Sequence, residues 1–126
     1  MKVGIIGAGR IGKVHAKNIS MFVPEMEIKT IADPFMNEQT EAFAKSCGIP
    51  NTTKDANDIL NDPEIDVIDI CTPAVLHAPM IVEAMTFGRH VICEKPFTGY
   101  FGRQGDPLPI GQKLSKAQMY ERVMAE

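Results

Sequence analysis

Residues 1–12 read MKVGIIGAGRIG, and this stretch decides the fold of the chain. The apolar residues 3–6 lead directly into the motif Gly7-x-Gly9-x-x-Gly12, after which a helical pattern begins. In a dinucleotide-binding turn the first glycine makes a tight bend, the second lets a pyrophosphate approach, and the third lets helix and strand pack closely. The stretch therefore predicts a phosphate-binding turn at a helix N-terminus, where free N–H groups and the helix dipole favour anions.

The pattern that follows decides how much weight the glycine motif bears, because methyltransferases use similar glycine-rich loops. Strands and helices alternate and are joined by short turns, which is typical of βαβ units in a parallel sheet. Right-handed crossovers then predict strand order 3-2-1-4-5, a doubly wound Rossmann-type α/β fold. The predicted strands are 2–7, 27–32, 49–52, 65–71 and 90–93, and the predicted helices are 10–22, 38–47, 53–60, 79–87 and 115–126.

The composition excludes several classes of protein. The chain has 126 residues, 44% of them apolar, which suits one domain with a buried core. Its net charge of −3 provides no basic surface for nucleic acid or an anionic membrane. No apolar run approaches the ~20 residues of a membrane span, and the N-terminus enters a strand directly, so we expect neither a membrane segment nor a signal peptide. The three cysteines (Cys47, Cys71 and Cys93) lack paired spacing, which indicates reduced thiols and predicts a cytoplasmic location.

Polar residues follow three of the predicted strands at the carboxyl edge of the sheet, where doubly wound folds bind their ligands. Asp33 ends the second strand, Thr72-Pro73 ends the fourth, and Glu94-Lys95-Pro96 ends the fifth. A carboxylate at Asp33 can accept hydrogen bonds from both hydroxyls of an adenosine ribose and repels a 2′-phosphate, which favours NAD over NADP. The alternative interpretation of Asp33 is an ordinary Asp-Pro turn.

Lys95 is the candidate for chemistry, because an ammonium group there can polarise a hydroxyl or carbonyl group or relay a proton. The alternative is a surface lysine in a loop. His77 is interpreted as a residue at a helix N-terminus or a cofactor contact, and His15 as a packing residue. His77, His90 and Cys93 lack the spacing of a metal-ligand set, so we expect no metal site. The acidic run over residues 55–69 predicts a solvated face.

Together these segments resemble the N-terminal domain of the Gfo/Idh/MocA oxidoreductases, the family of glucose–fructose oxidoreductase and inositol dehydrogenase. The resemblance covers residues 1–97 and implies a nicotinamide-dependent oxidoreductase that acts on a sugar, a cyclitol or a related polyol. It rests on the glycine motif with His15-Ala16-x-Asn18, on Ala32-Asp33, on residues 66–73 (DVIDICTP), on His77 and Ala84, and on residues 88–91 (GRHV) and 93–96 (CEKP).

The resemblance also implies roles for individual residues. Lys95 is implied to be the catalytic lysine beside the nicotinamide and the substrate, positioned by Glu94 and the turn at Pro96. The residues expected to bind the cofactor NAD are Gly7, Gly9, Arg10, Ile11, Gly12, Asp33, Thr72, Pro73, His77, Glu94 and Lys95.

The chain departs from the family pattern after Pro96. The segment 98–114 is an atypical loop, in which Tyr100 and Arg103 either contact substrate or belong to a plain surface insertion. The family's second domain, which supplies acid/base residues and most of the substrate pocket, has no counterpart here.

We therefore expect residues 1–126 to form a single dinucleotide-binding domain that ends before the family's sixth strand and is inactive alone. The apolar surface left exposed predicts a homo-oligomer. The alternative is a free-standing module that binds or senses NAD(H) without catalysis.

Overall fold

Five parallel strands form the centre of the structure, a computed structural model that describes residues 1–125. The strands are β1 (Lys2–Ile6), β2 (Glu27–Ala32), β3 (Asn51–Thr53), β4 (Val67–Ile70) and β5 (His90–Cys93). The helices are α1 (Arg10–Phe22), α2 (Glu38–Ser46), α3 (Asn57–Leu60), α4 (His77–Thr86), α5 (Ile110–Lys113) and α6 (Lys116–Met124), and a 3₁₀ turn over Ala74–Leu76 precedes α4.

The strand order is β3-β2-β1-β4-β5, which confirms the predicted Rossmann-type topology. β1 lies in the middle because the chain first winds outward through β2 and β3 and then crosses back to pair β4 with β1. The register aligns the last residues of neighbouring strands: Ile6 lies opposite Ala32 and Ile70, and Ile70 lies opposite Cys93. The segments that follow the strands therefore meet at one edge of the sheet.

Each face of the sheet is covered by its own apolar cluster, as expected for a parallel sheet with helices on both sides. Alternation along β1 sends Val3 and Ile5 to one face and Ile6 to the other. The first cluster includes Ala16 and Ile19 of α1 and Ala44 of α2. The second includes Ile59 and Leu60 of α3 and Ile81 and Ala84 of α4.

Several element boundaries differ from the sequence-based predictions. β4 begins at Val67, two residues later than predicted, because Ile65 closes a turn by donating its N–H to the Asp62 carbonyl at 3.2 Å. α4 begins at His77, two residues earlier than predicted, because the 3₁₀ turn after Pro73 feeds directly into it. The segment predicted as an atypical loop over 98–114 contains one helix, α5, which at one turn is too short to give a periodic signal.

The last helix begins as its sequence predicts. Ser115 and Gln118 form a capping box, in which the Ser115 hydroxyl accepts from the Gln118 N–H at 3.2 Å and the Gln118 side chain accepts from the Ser115 N–H at 2.9 Å. The helix α6 ends at Met124, and the predicted end at Glu126 lies outside the described residues.

An ion pair fastens the segment after β5 to α6. The Asp106 carboxylate accepts hydrogen bonds from the Tyr100 hydroxyl, from the Arg103 N–H and from Arg122, whose guanidinium also lies over the Tyr100 ring. These bonds, Tyr100 first, lower the pKa of Asp106 to about 2. The Tyr100 hydroxyl, a predicted substrate contact, is thus engaged in holding the segment together.

The longest described helix, α1, has 13 residues. Within residues 1–125 no helix combines the length and the apolar content that crossing a membrane requires.

Candidate functional site

The glycine turn between β1 and α1 has the close contacts that its motif predicts. Gly7 has a φ of 103°, and a Cβ added there would lie 2.7 Å from the Cys71 carbonyl oxygen. A Cβ on Gly12 would lie 1.9 Å from the Gly7 carbonyl oxygen, so α1 can follow β1 this closely only with glycine at that position. A Cβ on Gly9 would meet nothing within 4 Å. The open space beside Gly9 is what the approach of a pyrophosphate requires.

The N-terminus of α1 opens at the same place. The helix begins at Arg10 after Gly9, which offers no side-chain cap, and no acidic residue lies in its first turn. Arg10 and Ile11, both predicted to bind cofactor, are exposed in that turn. An uncapped first turn leaves N–H groups and the positive end of the helix dipole for an anion.

Asp33 is fixed at the end of β2 by two backbone donors. Its Oδ2 accepts from the Ala8 N–H at 2.8 Å, and its Oδ1 accepts from the Phe35 N–H at 2.8 Å. The first bond joins β2 to the glycine turn, and the second is the local turn expected of Asp before Pro. Each carboxylate oxygen has two lone pairs, so the Asp33 carboxylate can still accept from ribose hydroxyls.

A cavity of about 450 Å³ connects these features. Its wall contains parts of the glycine turn, the end of β2 and the end of β4, so it lies at the carboxyl edge of the sheet between the two halves of the fold. Phe35 and Lys54 also line the cavity, and neither was predicted from the sequence. Phe35 follows the Asp33-Pro34 turn, and its ring is 84% exposed at the cavity wall.

His77 connects the ends of β4 and β5 from below. It is the first residue of α4, in agreement with its predicted position at a helix N-terminus, and its ring is only 1% exposed. Its Nδ1 lies 2.8 Å from the Pro96 carbonyl oxygen, and its Nε2 lies 2.9 Å from the Thr72 carbonyl oxygen. Because backbone carbonyls engage both nitrogens, these contacts favour a role in positioning the Thr72 and Pro96 turns over a direct cofactor contact.

Glu94 and Lys95 follow β5 and bring the fifth strand end to the same edge. The Glu94 N–H donates to the Ile70 carbonyl at 3.0 Å, which continues the sheet by one residue beyond β5. The side chain of Lys95 is exposed, and its peptide bond to Pro96 is cis. Within residues 1–125 the Lys95 ammonium group makes no hydrogen bond or ion pair that would compete with a ligand.

A polar cluster lies beneath this edge, and the sequence-based interpretation missed it. His15, interpreted from the sequence as a packing residue, also makes polar contacts: its Nδ1 lies 2.9 Å from Asp69 Oδ2, and its Nε2 lies 3.1 Å from Glu94 Oε1. The Cys71 Sγ lies 3.4 Å from the same Nδ1. The prediction of a solvated face is wrong for Asp69, which is 0% exposed because β4 is covered on both faces. The signal in the sequence was an aspartate inside a strand that is otherwise apolar.

Burial and charge shift the pKa values of this cluster. Burial lowers the pKa of His15, but the hydrogen bonds and charges of Asp69 and Glu94 outweigh it and raise that pKa overall. Burial raises the pKa of Asp69, although the bond to His15 opposes the effect. Burial and the nearby carboxylates also raise the pKa of the Cys71 thiol. The His15 ring thus lies between two carboxyl groups, Asp69 and Glu94, whose charges favour its protonated form.

The site residues fit a bound dinucleotide. Gly9 leaves room for a pyrophosphate, α1 presents an uncapped N-terminus, and Asp33 presents a carboxylate in a fixed orientation. The model of the GFO_IDH_MocA family, described as an oxidoreductase family with an NAD-binding Rossmann fold, matches residues 1–102. The chain belongs to this family. Membership confirms the resemblance and the cofactor NAD, and it decides against the methyltransferase alternative.

Relatives of this Gfo/Idh/MocA domain include proteins named as an oxidoreductase and as an inositol dehydrogenase. The chain is 50% identical over 110 residues to the uncharacterized oxidoreductase YrbE of Bacillus subtilis (strain 168). The aligned region covers 87% of this chain and 32% of that protein. It is 35% identical over 98 residues to the scyllo-inositol 2-dehydrogenase (NAD(+)) of the same organism. That aligned region covers 78% of this chain and 28% of the relative.

A solved structure of an inositol dehydrogenase also resembles this chain. The scyllo-inositol dehydrogenase from Lactobacillus casei, with NAD(H) and scyllo-inositol bound, matches with a TM-score of 0.71 at 30% identity. The match covers 78% of this chain and 28% of that one. The chain thus spans about a third of the length of its relatives and corresponds to their NAD-binding Rossmann domain.

Proposed function

We propose that this chain is the cofactor-binding part of a dehydrogenase that transfers hydride between NAD and a sugar, a cyclitol or a related polyol. The observation that carries the proposal is the convergence of the glycine turn, Asp33, Thr72 and Lys95 at one edge of the sheet. The inositol substrates in the names of its relatives support the substrate class.

Each residue at this edge has a proposed task in binding the cofactor. The turn over residues 7–12 and the first turn of α1, including Arg10 and Ile11, bind the pyrophosphate through N–H groups. Asp33 binds the adenosine ribose. Thr72 and Pro73 line the path of the cofactor, and His77 holds these turns in place through backbone carbonyls.

Lys95 is the proposed catalytic residue, and Glu94 positions it. Bound NAD would supply the acceptor for the hydride from the carbinol carbon of the substrate. The exposed ammonium of Lys95 polarises the substrate hydroxyl and takes part in moving its proton. Glu94 is held from the other side by His15, and its Oε2 accepts weakly from the Lys95 N–H at 3.3 Å.

Binding and oxidation of such a substrate are proposed to need residues that lie outside this domain. We propose that residues 1–126 form one dinucleotide-binding domain and that a substrate-binding domain completes the enzyme. The support is that relatives are about three times as long as the matched region. The 126-residue chain alone is therefore proposed to bind NAD(H) and to oxidise no polyol.

Two measurements on the purified chain test this function. We expect NADH to bind with enhanced fluorescence, and we expect no reduction of NAD with myo-inositol, scyllo-inositol or glucose. Binding of NADH that is no tighter than that of S-adenosylmethionine would refute the cofactor assignment. Polyol oxidation by the 126 residues would refute the proposed need for a second domain.

A free-standing NAD(H)-binding module is the second candidate. One observation favours it: the segment after β5 is bound to the last described helix, because Asp106 forms an ion pair with Arg122 of α6. The coding sequence after Glu126 distinguishes the two candidates. A further ~200 in-frame codons favour the enzyme, and a stop codon favours the module.

We also propose a cytoplasmic location and self-association. The three cysteines are free thiols, which suits a reducing compartment. Exposed apolar side chains lie on α4, on β5 and in the following loop: Val82, Met85, Ile92 and Phe97. Such a surface favours contact between copies. Light scattering at increasing concentration tests this, and a monomer at all concentrations would refute it.

A further inference from the structure

Three different donor atoms meet beneath the glycine turn, and the proposed dehydrogenase chemistry uses none of them directly. They are Nδ1 of His15 on α1, a carboxylate oxygen of Asp69 on β4, and Sγ of Cys71 just after β4. All three lie within 4.8 Å of one another. Nitrogen, oxygen and thiolate sulfur together are the ligand types that bind Zn²⁺ in proteins.

The separations between the donors are close to those of a tetrahedral site. Bonds of about 2.0–2.3 Å to zinc at tetrahedral angles place neighbouring ligand atoms about 3.3–3.6 Å apart. Cys71 Sγ lies 3.4 Å from His15 Nδ1 and 3.6 Å from Asp69 Oδ1. The other oxygen of the same carboxylate, Asp69 Oδ2, lies 2.9 Å from His15 Nδ1, which is shorter. Binding an ion therefore requires the Asp69 carboxylate to rotate so that one oxygen faces both other donors.

Glu94 supplies the outer contact that a metal-binding histidine usually has. Histidines that ligate a metal through one nitrogen donate the other N–H to a carboxylate or a carbonyl, which fixes the tautomer. Here the Nε2 of His15 lies 3.1 Å from Glu94 Oε1, on the opposite side of the ring from Asp69 and Cys71. A His15 that donates from Nε2 to Glu94 leaves Nδ1 as a lone-pair donor facing the other two ligands.

The charge of Asp69 gives an independent reason to expect a cation. Its side chain is 0% exposed, and its side-chain partners among the described residues are the His15 ring and the Cys71 thiol, with no lysine or arginine beside it. A buried carboxylate is stable only when it is paired, protonated or bound to a metal ion. A divalent ion with one thiolate, one carboxylate and one neutral imidazole forms a neutral set.

We propose that His15, Asp69 and Cys71 form a binding site for a divalent transition-metal ion of the zinc type, with Glu94 orienting His15. The fourth position of the ion takes water from the cofactor cleft, whose wall includes Cys71. Because Cys71 also lies against Gly7 and Glu94 precedes Lys95, the ion braces the sheet edge between the glycine turn and the proposed catalytic lysine.

Cobalt titration of the reduced 126-residue chain without NAD tests the site, so its outcome is independent of the dehydrogenase proposal. We expect one Co²⁺ per chain, a thiolate-to-cobalt charge-transfer band, and displacement by Zn²⁺. Cys71→Ser should abolish the band, whereas Cys93→Ser and Cys47→Ser, the matched thiol controls, should keep it. Glu94→Gln should weaken binding about 10-fold or more through the lost outer contact.

Binding without a thiolate band, or a band that Cys71→Ser leaves intact, would overturn the proposal. If Cys71→Ser is unfolded by circular dichroism, His15→Gln serves instead, because His15 is partly exposed. Nitrogen NMR of the wild-type ring gives a readout that needs no variant: Zn²⁺ should shift Nδ1 and leave Nε2 protonated. A ring that stays doubly protonated at saturating Zn²⁺ would show an ion pair with Asp69 and Glu94 and no metal site.

Discussion

Asp33 and Ala8 are joined by a hydrogen bond of 2.8 Å from the Ala8 N–H to the Asp33 carboxylate. The bond connects the end of β2 to the glycine turn after β1, so the proposed ribose site and the proposed pyrophosphate site are fixed relative to each other. A ligand that contacts both sites therefore meets a surface that is already arranged, which lowers the entropy lost on binding.

Replacing Asp33 tests the proposed ribose contact. We expect Asp33→Ala to weaken NADH binding by about 1–3 kcal/mol, because it removes the acceptor for the ribose hydroxyls and the anchor of the turn. Isothermal titration with NADH measures the change. Glu38→Ala, an exposed acidic residue on α2, is the control and should leave affinity unchanged. Equal affinity of Asp33→Ala and the wild type would remove the carboxylate from the proposed site.

The glycine turn separates an effect on binding from an effect on folding. An added Cβ on Gly9 meets no atom within 4 Å, so Gly9→Ala should fold normally but lose most NADH binding. An added Cβ on Gly12 falls 1.9 Å from the Gly7 carbonyl oxygen, so Gly12→Ala should lower the free energy of unfolding by about 1–3 kcal/mol. Urea titration and NADH fluorescence on both variants distinguish the two. Normal NADH binding by Gly9→Ala would place the pyrophosphate elsewhere.

The topology of the sheet could be predicted because the central strands β1 and β4 are apolar runs and because Gly7, Asp33-Pro34 and Thr72-Pro73 mark where β1, β2 and β4 end. The strand order follows from right-handed crossovers once the alternation is recognised. The boundaries of the elements were harder to predict. Ile65 was predicted to lie in β4 but belongs to the turn before it, and α5 is a single helical turn that gives no periodic pattern. Both depend on contacts with neighbouring elements, which a single sequence does not display.

The site was only partly predictable for a related reason. Residues directly after strands, such as Asp33 and Lys95, could be placed because the sheet brings all strand ends together. The link between His15 and Asp69 could not, since the two residues are 54 positions apart and meet only when α1 packs on β4. Phe35 and Lys54 were missed because nothing in their local pattern marks a cavity wall.

Asp106 should keep the segment after β5 attached to α6 well into the acid range. Hydrogen bonds from Tyr100, Arg103 and Arg122 lower the pKa of Asp106 to about 2, so the carboxylate stays ionised at pH 4. We expect Asp106→Asn to speed tryptic cleavage at Arg103 at pH 8, because the loop is no longer held. Asp58→Asn, an acidic residue on α3 far along the chain, is the control. Cleavage of Asp106→Asn at the wild-type rate would show that the ion pair does not hold the segment.

The ion pairs of Lys29 with Asp62 and Glu64 should contribute to stability in a pH-dependent way. It bonds to Asp62 and Glu64 at 2.6 Å each, which raises the pKa of Lys29 and lowers the pKa of both carboxyl groups. Lowered carboxyl pKa values add stability above the unfolded values of about 4, and this stability is lost as the pH falls further.

The melting temperature of Lys29→Met should therefore lie below that of the wild type at pH 7, and the difference should shrink below pH 4. Added salt should also reduce it, because these groups are partly exposed. Lys17→Met, on the exposed side of α1, is the matched control. A difference that stays constant from pH 7 to pH 3 would contradict an ionic origin.

His77 is expected to matter for both stability and cofactor binding, because its ring joins the Thr72 and Pro96 carbonyls. His77→Leu fills a similar volume but removes the ring N–H that donates to one of these carbonyls, so we expect the free energy of unfolding to fall by about 1–3 kcal/mol. A neutral imidazole donates from one nitrogen only, so His77→Gln, which keeps one donor, should recover part of the loss. His90→Leu, on the exposed start of β5, should change stability little.

NADH affinity should fall in His77→Leu even under conditions where the variant is fully folded, since the Thr72 and Lys95 turns are no longer held together. An affinity equal to that of the wild type would limit the role of His77 to the stability of the fold.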